Sequence, residues 1–303
     1  MALLFSIFLN QILPVFIILG IGALFGHYAK PDVRTLSRIA FYVFSPCLIF
    51  VALTGNALTL QEIGLIGLVA LIVLLSSAAI GFIVARALRF DRAKTAALIL
   101  VMLIPNTGNM GLPVILFAFG EDTLARAVPF FTVSLLSIFS LGILVASSGK
   151  ASIKQAVIEV FKTPVIYALI ITIVVLISGI ELPLFLSRPA ELLGNATIPV
   201  MLTLLGVQIA QTRLPENLSF VYLAAGMRLL IGPAIGFGVA LLFGLTGEAR
   251  AAVVTEAAMP IAVFVAVLAL EYDTEPALLT GAVVLSTLLS PLTLTPIIAL
   301  LTP

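Results

Sequence analysis

The sequence predicts an all-α integral membrane protein with ten transmembrane helices in two inverted five-helix repeats, of which helices 4 and 9 are broken crossover helices. Three observations lead there. The 303 residues are 62% hydrophobic and only 10% charged, with a mean hydropathy of +1.29, whereas soluble domains carry about 25% charged residues. The apolar residues run in continuous blocks and lack the alternation of a barrel strand. The second half of the chain also repeats motifs of the first in the same order.

A helical crossing takes ~20 apolar residues. Breaks at charged or Gly/Pro-rich stretches give segments 3–26, 35–54, 62–89, 93–119, 123–148, 164–182, 188–211, 217–244, 249–270 and 276–301. The first has no basic region or small-residue cleavage site before it, so a retained helix is expected there and not a signal peptide. Lys30, Arg34, Arg38, Arg86, Arg89, Arg92, Lys94, Lys150, Lys154, Lys162 and Arg213 fall in connections on one side. The other side has only Arg126, Arg188 and Arg250. Lys and Arg accumulate on the cytoplasmic side, so both termini are expected outside. Short connections suit a prokaryotic inner membrane.

The repeat is read from ordered matches. "LPVF" (13–16) answers "TPVI" (163–166), and Pro46 in "FSPCLIF" answers Pro199 in "TIPVMLT". "AIGFIVA" (79–85) answers "AIGFGVA" (234–240), Pro105 answers Pro260, and "FGEDT" (119–123) answers "LEYDT" (270–274). An odd number of helices per repeat turns the two halves over relative to each other, the symmetry of many secondary transporters. The expected division is 1–148 for the first repeat, 149–163 for a cytoplasmic linker and 164–303 for the second.

The fourth segment contains "IPNTGNMGLP" (104–113). Proline removes a helix donor and clashes with the preceding turn, and glycine loosens the backbone. Pro105, Gly108, Gly111 and Pro113 therefore predict a break, with Asn106, Thr107 and Asn109 at the same depth. Pro260, flanked by Met259 and Ile261, predicts the matching break in the ninth segment. Unpaired backbone groups are tolerated in lipid only beside protein or a wet cavity. Interruptions matched across repeats mark binding sites in this class. Half-helix N-termini favour anions, and the opposing C-terminal carbonyls favour a cation. Substrate contacts are thus expected from these residues, with Ser45 and Pro46, and Asn195 and Pro199, as further wall candidates or simple helix bends.

Two charges fall within apolar segments, Glu256 in "VVTEAAMPIAV" and Arg228 in "GMRLLIGPA". Each is costly in a membrane, roughly 2.5–3.5 kcal/mol on insertion scales. They are expected either to be structural, as an ion pair or with Arg228 reaching toward an interface, or to be functional, with Glu256 as a proton or sodium site and Arg228 as its partner or an attractor of the substrate anion.

Other classes are disfavoured. A net charge of +1 offers no basic surface for nucleic acid. The single Cys47 allows no disulfide within the chain. The single His27 sits at a segment end, and there is no metal-ligand or catalytic motif such as H-E-x-x-H or G-x-S-x-G. No cofactor, metal or enzymatic activity is expected. The expected partners are a small organic anion and the lipid bilayer, with a homodimer left open.

These residues resemble the auxin efflux carrier family, which includes plant exporters and prokaryotic malate or malonate permeases. "PNTGNMGLP" is similar to that family's helix 4 motif, "MRLLIGPA" to its helix 8 pattern, and "EAAMPIAV" and "ALEYDTEPALLTGAVV" to its helices 9 and 10. The resemblance implies ten helices in a scaffold part and a transport part. It also implies a substrate site at the crossing of helices 4 and 9, with Asn106 near a substrate carboxylate. The long cytoplasmic loop of many plant members is missing here, and Glu256 stands where plant relatives tend to have glutamine. The expected function is therefore a secondary active transporter, or permease, for a small organic anion or carboxylate working by alternating access. The alternative is a sodium-coupled symporter for larger organic anions of bile-acid type.

Overall fold

The computed structural model describes residues 2–302 except 56–57, 148–151, 181, 213–214 and 216–217, so Lys150 and Arg213 of the charge argument lie outside the described residues. Among the described residues seven helices are long and apolar enough to cross a membrane: α1 (Ala2–Ala29), α2 (Val33–Thr54), α3 (Leu60–Ala87), α6 (Glu121–Ala146), α9 (Leu184–Ala210), α10 (Ser219–Leu242) and α13 (Pro276–Leu301). Shorter apolar helices are α5 (Thr107–Phe119), α8 (Pro164–Ser178) and α12 (Val263–Tyr272). The remaining helices are α4 (Arg92–Leu103), α7 (Ile153–Lys162) and α11 (Gly247–Ala258). No strand is present among the described residues.

Local sequence explains where these helices start and bend. Asp32, Thr59, Asp91 and Ser152 cap α2, α3, α4 and α7, each side chain accepting from a backbone N–H of the first turn. Gly120 takes φ +82°, which only glycine adopts without strain, and so links α5 to α6 in one residue. Widened π turns occupy 8–12, 40–44 and 107–111, and each is followed two residues later by a proline, namely Pro14, Pro46 and Pro113. The proline ring pushes against the carbonyl four residues back, and an i→i+5 turn relieves that contact. A fourth π turn, at 138–142, has no such proline.

The helices pack in two groups. α9 lies along α1 and α2, and α8 along α2, while α3, α4, α6, α10, α11 and α13 pack on one another. In the first group the contact of α1 with α9 is close enough to require glycine. A Cβ on Gly22 would lie 2.9 Å from the Thr203 Cα, and one on Gly206 would lie 2.7 Å from the Ala23 nitrogen. In the second group Arg126 of α6 joins Glu62 of α3 at 2.8 Å and Glu248 of α11 at 2.7 Å. Those two pairs tie three helix ends together.

Several sequence expectations need adjustment. The stretch read as a linker, 149–163, contains helix α7, whose Val157, Ile158 and Phe161 are exposed beside Lys154 and Lys162. The sixth segment ends as a helix at Ser178 and not at 182, because Gly179 in the left-handed region terminates it.

Candidate functional site

Both predicted interruptions exist, and they meet. α4 stops at Leu103 and α5 begins at Thr107; α11 stops at Ala258 and α12 begins at Val263. Between them the two extended stretches pair as a short antiparallel bridge, Pro105 opposite Ile261. The Asn106 N–H donates to the Pro260 carbonyl at 2.8 Å, and the Ala262 N–H donates to the Ile104 carbonyl at 3.1 Å. The Ile261 N–H donates to Ser286 Oγ of α13 at 3.2 Å, and the Thr107 N–H to the Pro105 carbonyl at 2.9 Å. Prolines 105 and 260 have no N–H to satisfy. Each broken helix thus supplies much of what the other lacks, as buried backbone requires.

This pairing narrows the expectation that the breaks present open backbone. The N–H groups of the bridge itself are spent. Those of Gly108 and Asn109 at the start of α5, and of Val263 and Phe264 at the start of α12, meet no acceptor among the described residues. They are the donors that a helix start leaves over. Gly108, Asn109, Val263 and Phe264 line one cavity with Pro105, Asn106 and Thr107. Asn106 and Asn109 are 3% and 5% exposed, yet Asn106 Nδ2 and Asn109 Oδ1 have no hydrogen-bond partner. The cavity measures about 20 Å³, room for about one water molecule. It is closed by apolar side chains that the sequence did not single out: Phe41 of α2, and Leu135 and Ile138 of α6. Phe41 meets Phe264 edge-on at 4.8 Å, and Phe139 meets the same ring at 5.7 Å.

The glycines of the motif are required by contact. A Cβ on Gly108 would lie 2.7 Å from the Phe131 ring, and one on Gly111 would collide with the carboxylate of Glu256. Pro113 is buried in α5 just after the 107–111 turn. Met259 and Ile261 are fully buried and contribute backbone: the Met259 carbonyl accepts from Arg228, and Ile261 forms the bridge.

An ion pair between Arg228 and Glu256, one of the alternatives left open, is not formed among the described residues. Arg228, 1% exposed, donates to three backbone carbonyls, through Nε to Met259 at 2.9 Å, Nη1 to Met102 at 2.9 Å and Nη2 to Ala257. Met102 lies at the C-terminal end of α4, and Ala257 and Met259 at that of α11. The guanidinium therefore sits on the negative ends of both half-helices. The cation that the opposing carbonyls were expected to attract is part of the chain itself. Glu256 is fully buried, and neither carboxylate oxygen has a hydrogen-bond partner.

Ser45, Pro46, Asn195 and Pro199 lie away from the crossing. The Ser45 hydroxyl donates to the Ala40 carbonyl at 2.9 Å, within the turn that Pro46 widens. Next to it, the Thr197 hydroxyl of α9 donates to the Phe44 carbonyl at 3.0 Å. Asn195 and Pro199 line a second cavity of about 530 Å³ between α1, α2 and α9 on one side and α5 and α6 on the other, with Glu121 as its charged residue. That cavity separates the two packing groups.

An apolar multi-pass chain with two interrupted helices crossing at a small polar cavity has the build of a membrane transporter. Comparison with known proteins agrees. The model of a family described as membrane transport protein matches residues 7–156 and 148–298. An uncharacterized transporter of Methanothermobacter thermautotrophicus is 30% identical over 282 residues, 91% of this chain and 92% of the relative. An uncharacterized transporter of Methanocaldococcus jannaschii is 26% identical over 93% of this chain and 95% of its own. A probable auxin efflux carrier component 1b of rice, Oryza sativa subsp. japonica, is 31% identical over 119 residues, 38% of this chain and 22% of its own. The chain belongs to the membrane transport protein family, the auxin efflux carrier family that its motifs resemble. These relatives are membrane transporters, not enzymes.

Proposed function

We propose that the protein is a secondary active transporter, a permease that moves a small organic anion such as a mono- or dicarboxylate by alternating access. The observation that carries this reading is the set of unspent N–H groups at the starts of α5 and α12, which border one cavity beside the unpartnered Asn106 Nδ2 and Asn109 Oδ1. Donors without acceptors at two helix N-termini favour a carboxylate. In this reading α4–α5 and α11–α12 each make one interrupted crossing. The chain then has ten crossings in two inverted repeats, 1–148 and 164–303, with α7 on the cytoplasmic surface and both termini outside a prokaryotic inner membrane.

Alternating access is supported by the two packing groups. α1, α2, α8 and α9 would act as scaffold, and the remaining crossings as the moving part. The 530 Å³ cavity lies between them toward the outer side in this orientation, while the crossing cavity holds about one water. The structure so read is a shut state whose substrate space opens when the groups slide and Phe41 leaves Phe264. Coupling to protons or sodium would act through Glu256.

The test is uptake of labelled malonate and malate into proteoliposomes. Wild type should accumulate at least one of them, and Asn106→Ala should lose that uptake while the folded protein is recovered in normal yield. Undiminished uptake by the variant would remove Asn106 from the site. Strict dependence on external sodium, together with transport of bile-acid-sized anions, would favour the alternative symporter.

A further inference from the structure

Resting on the carrier reading, the identity of the coupling ion follows from how the two intramembrane charges are placed. A carrier with broken helices usually holds a metal cation on the carbonyls at half-helix C-termini. Here those carbonyls, Met102 on one broken helix and Ala257 and Met259 on the other, accept the three donating nitrogens of Arg228. Gly232 leaves room for the guanidinium, since a Cβ there would lie 3.0 Å from Nη2. No lone pair of Arg228 is available, since guanidinium is donor only. The cation position is therefore filled by the chain.

Glu256 is in the opposite situation. Its carboxylate is wholly buried, has no hydrogen-bond partner, and packs against Gly111 at the junction of the 107–111 turn with α5. The charged and titratable groups on the surrounding elements are accounted for. α10 brings Arg228, engaged as above, and Tyr222, which is exposed at the helix start. α3 and α6 bring Glu62 and Arg126, joined to each other and to Glu248 at the far end of α11. Asp122 and Glu121 lie at the exposed start of α6, Arg86 at the opposite end of α3, and Arg250, whose Nε is buried without a partner, in the first turn of α11, six residues before Glu256. α5 and α13 contain no charged residue. Among the described residues Glu256 makes no ion pair and no hydrogen bond, and a buried carboxyl without either is favoured as the neutral acid.

We propose that Glu256 is a proton-binding site inside the crossing, and that the protein carries its anion together with a proton and without sodium. Gly111 connects that proton to the substrate. The turn against which the carboxyl packs is the one whose N–H groups and Asn109 border the anion cavity. An anion there and an ionised Glu256 on the same turn repel each other. The anion and the proton are then carried as a pair: Glu256 holds H⁺ on one carboxylate oxygen while the crossing is shut, the anion binds to that neutral form, and H⁺ leaves to water only where the opened crossing hydrates the carboxylate.

The experiment is infrared spectroscopy of the full-length protein in lipid bilayers at neutral pH. Wild type should show the C=O stretch of a protonated carboxylic acid, absent from Glu256→Gln and unchanged when sodium chloride is replaced by choline chloride. Should the variant fold poorly, wild type labelled with ¹³C-glutamate gives the same assignment through the isotope shift of that band. The proposal is overturned if the labelled band is absent, or if sodium abolishes or shifts it. Neither measurement uses a substrate. A protein that shows the band but transports no carboxylate would refute the carrier reading alone, whereas carboxylate uptake without the band would refute only the proton site.

Discussion

Replacing Arg228 by methionine tests the claim that one guanidinium joins the two broken helices. Methionine keeps the length and apolar stem but removes every donor. Three buried carbonyls, those of Met102, Ala257 and Met259, then lose their hydrogen bonds. Stranding a buried acceptor costs about 1–3 kcal/mol, so three cost roughly 3–9 kcal/mol if they act independently, where whole proteins have about 5–15 kcal/mol to lose. At about 2 °C per kcal/mol for a chain of this size, the melting temperature should fall by at least about 6 °C. Thermal unfolding in detergent or nanodiscs, followed by intrinsic fluorescence of the tyrosines or by circular dichroism, reads this directly. Arg228→Lys should recover part of the loss, since an ammonium keeps the charge without the planar fork that reaches three carbonyls. A methionine variant melting within about 2 °C of wild type would show that the three bonds do not hold the crossing together.

Four further outcomes are expected. Gly111→Ala places a methyl group against the Glu256 carboxyl; overpacking of this kind costs about 1–3 kcal/mol, and Gly111→Ala/Glu256→Ala should restore the melting temperature lost by the single variant. Gly206→Val drives a side chain into the α1 backbone near Leu19 and Ala23, and should depress folded yield far more than Gly226→Val, where nothing lies within 4 Å. Phe264→Ala removes the ring shared by Phe41 and Phe139, and a cysteine at position 106 should then react with a thiol reagent at least several-fold faster. Asp32, held below its ordinary carboxyl pKa of 3.8 by the Thr35 side chain and backbone, stabilises the start of α2 in its ionised form. That stabilisation is complete above about pH 4 and lost as the pH falls through the lowered value. Hydrogen exchange at Arg34 and Thr35, corrected for intrinsic rates, should accelerate only in that acid range.

Much of the architecture was legible because lipid restricts the choices. Long apolar runs fix where helices lie, and Pro105 and Pro260 fix where two of them stop. The crossing was also legible in outline, since freed backbone at membrane depth must find a partner. Its details were not. A carbonyl acceptor exists at every residue and leaves no mark in the sequence, so Arg228 looked like a partner for Glu256 when three carbonyls were its actual acceptors. Helix α7 falls within the stretch read as a linker: its apolar face is plain, with Val157, Ile158 and Phe161 opposed to Lys154 and Lys162, but at ten residues it is too short for a crossing and so was left among the connections. Pro46 and Pro199 drew attention as site candidates, yet one widens a turn and the other sits inside a long helix beside a separate cavity. Phe41 and Phe264 gave no signal, for two phenylalanines among 20 are unremarkable until the fold brings their rings together.

The pairing of Pro105 with Ile261 bears on how such a chain is assembled and could have arisen. Residues 104–106 have their peptide groups completed by residues 260–262, more than 150 positions later. While only the first half has been synthesised, that stretch must wait, sheltered by water or by the insertion machinery. Expressed alone, either half would be an incomplete membrane protein; coexpressed, the two should recover each other. If the halves are the inverted repeats proposed above, an ancestral half-length chain would have needed a second, oppositely inserted copy from the outset, and duplication and fusion would have joined polypeptides that already depended on one another.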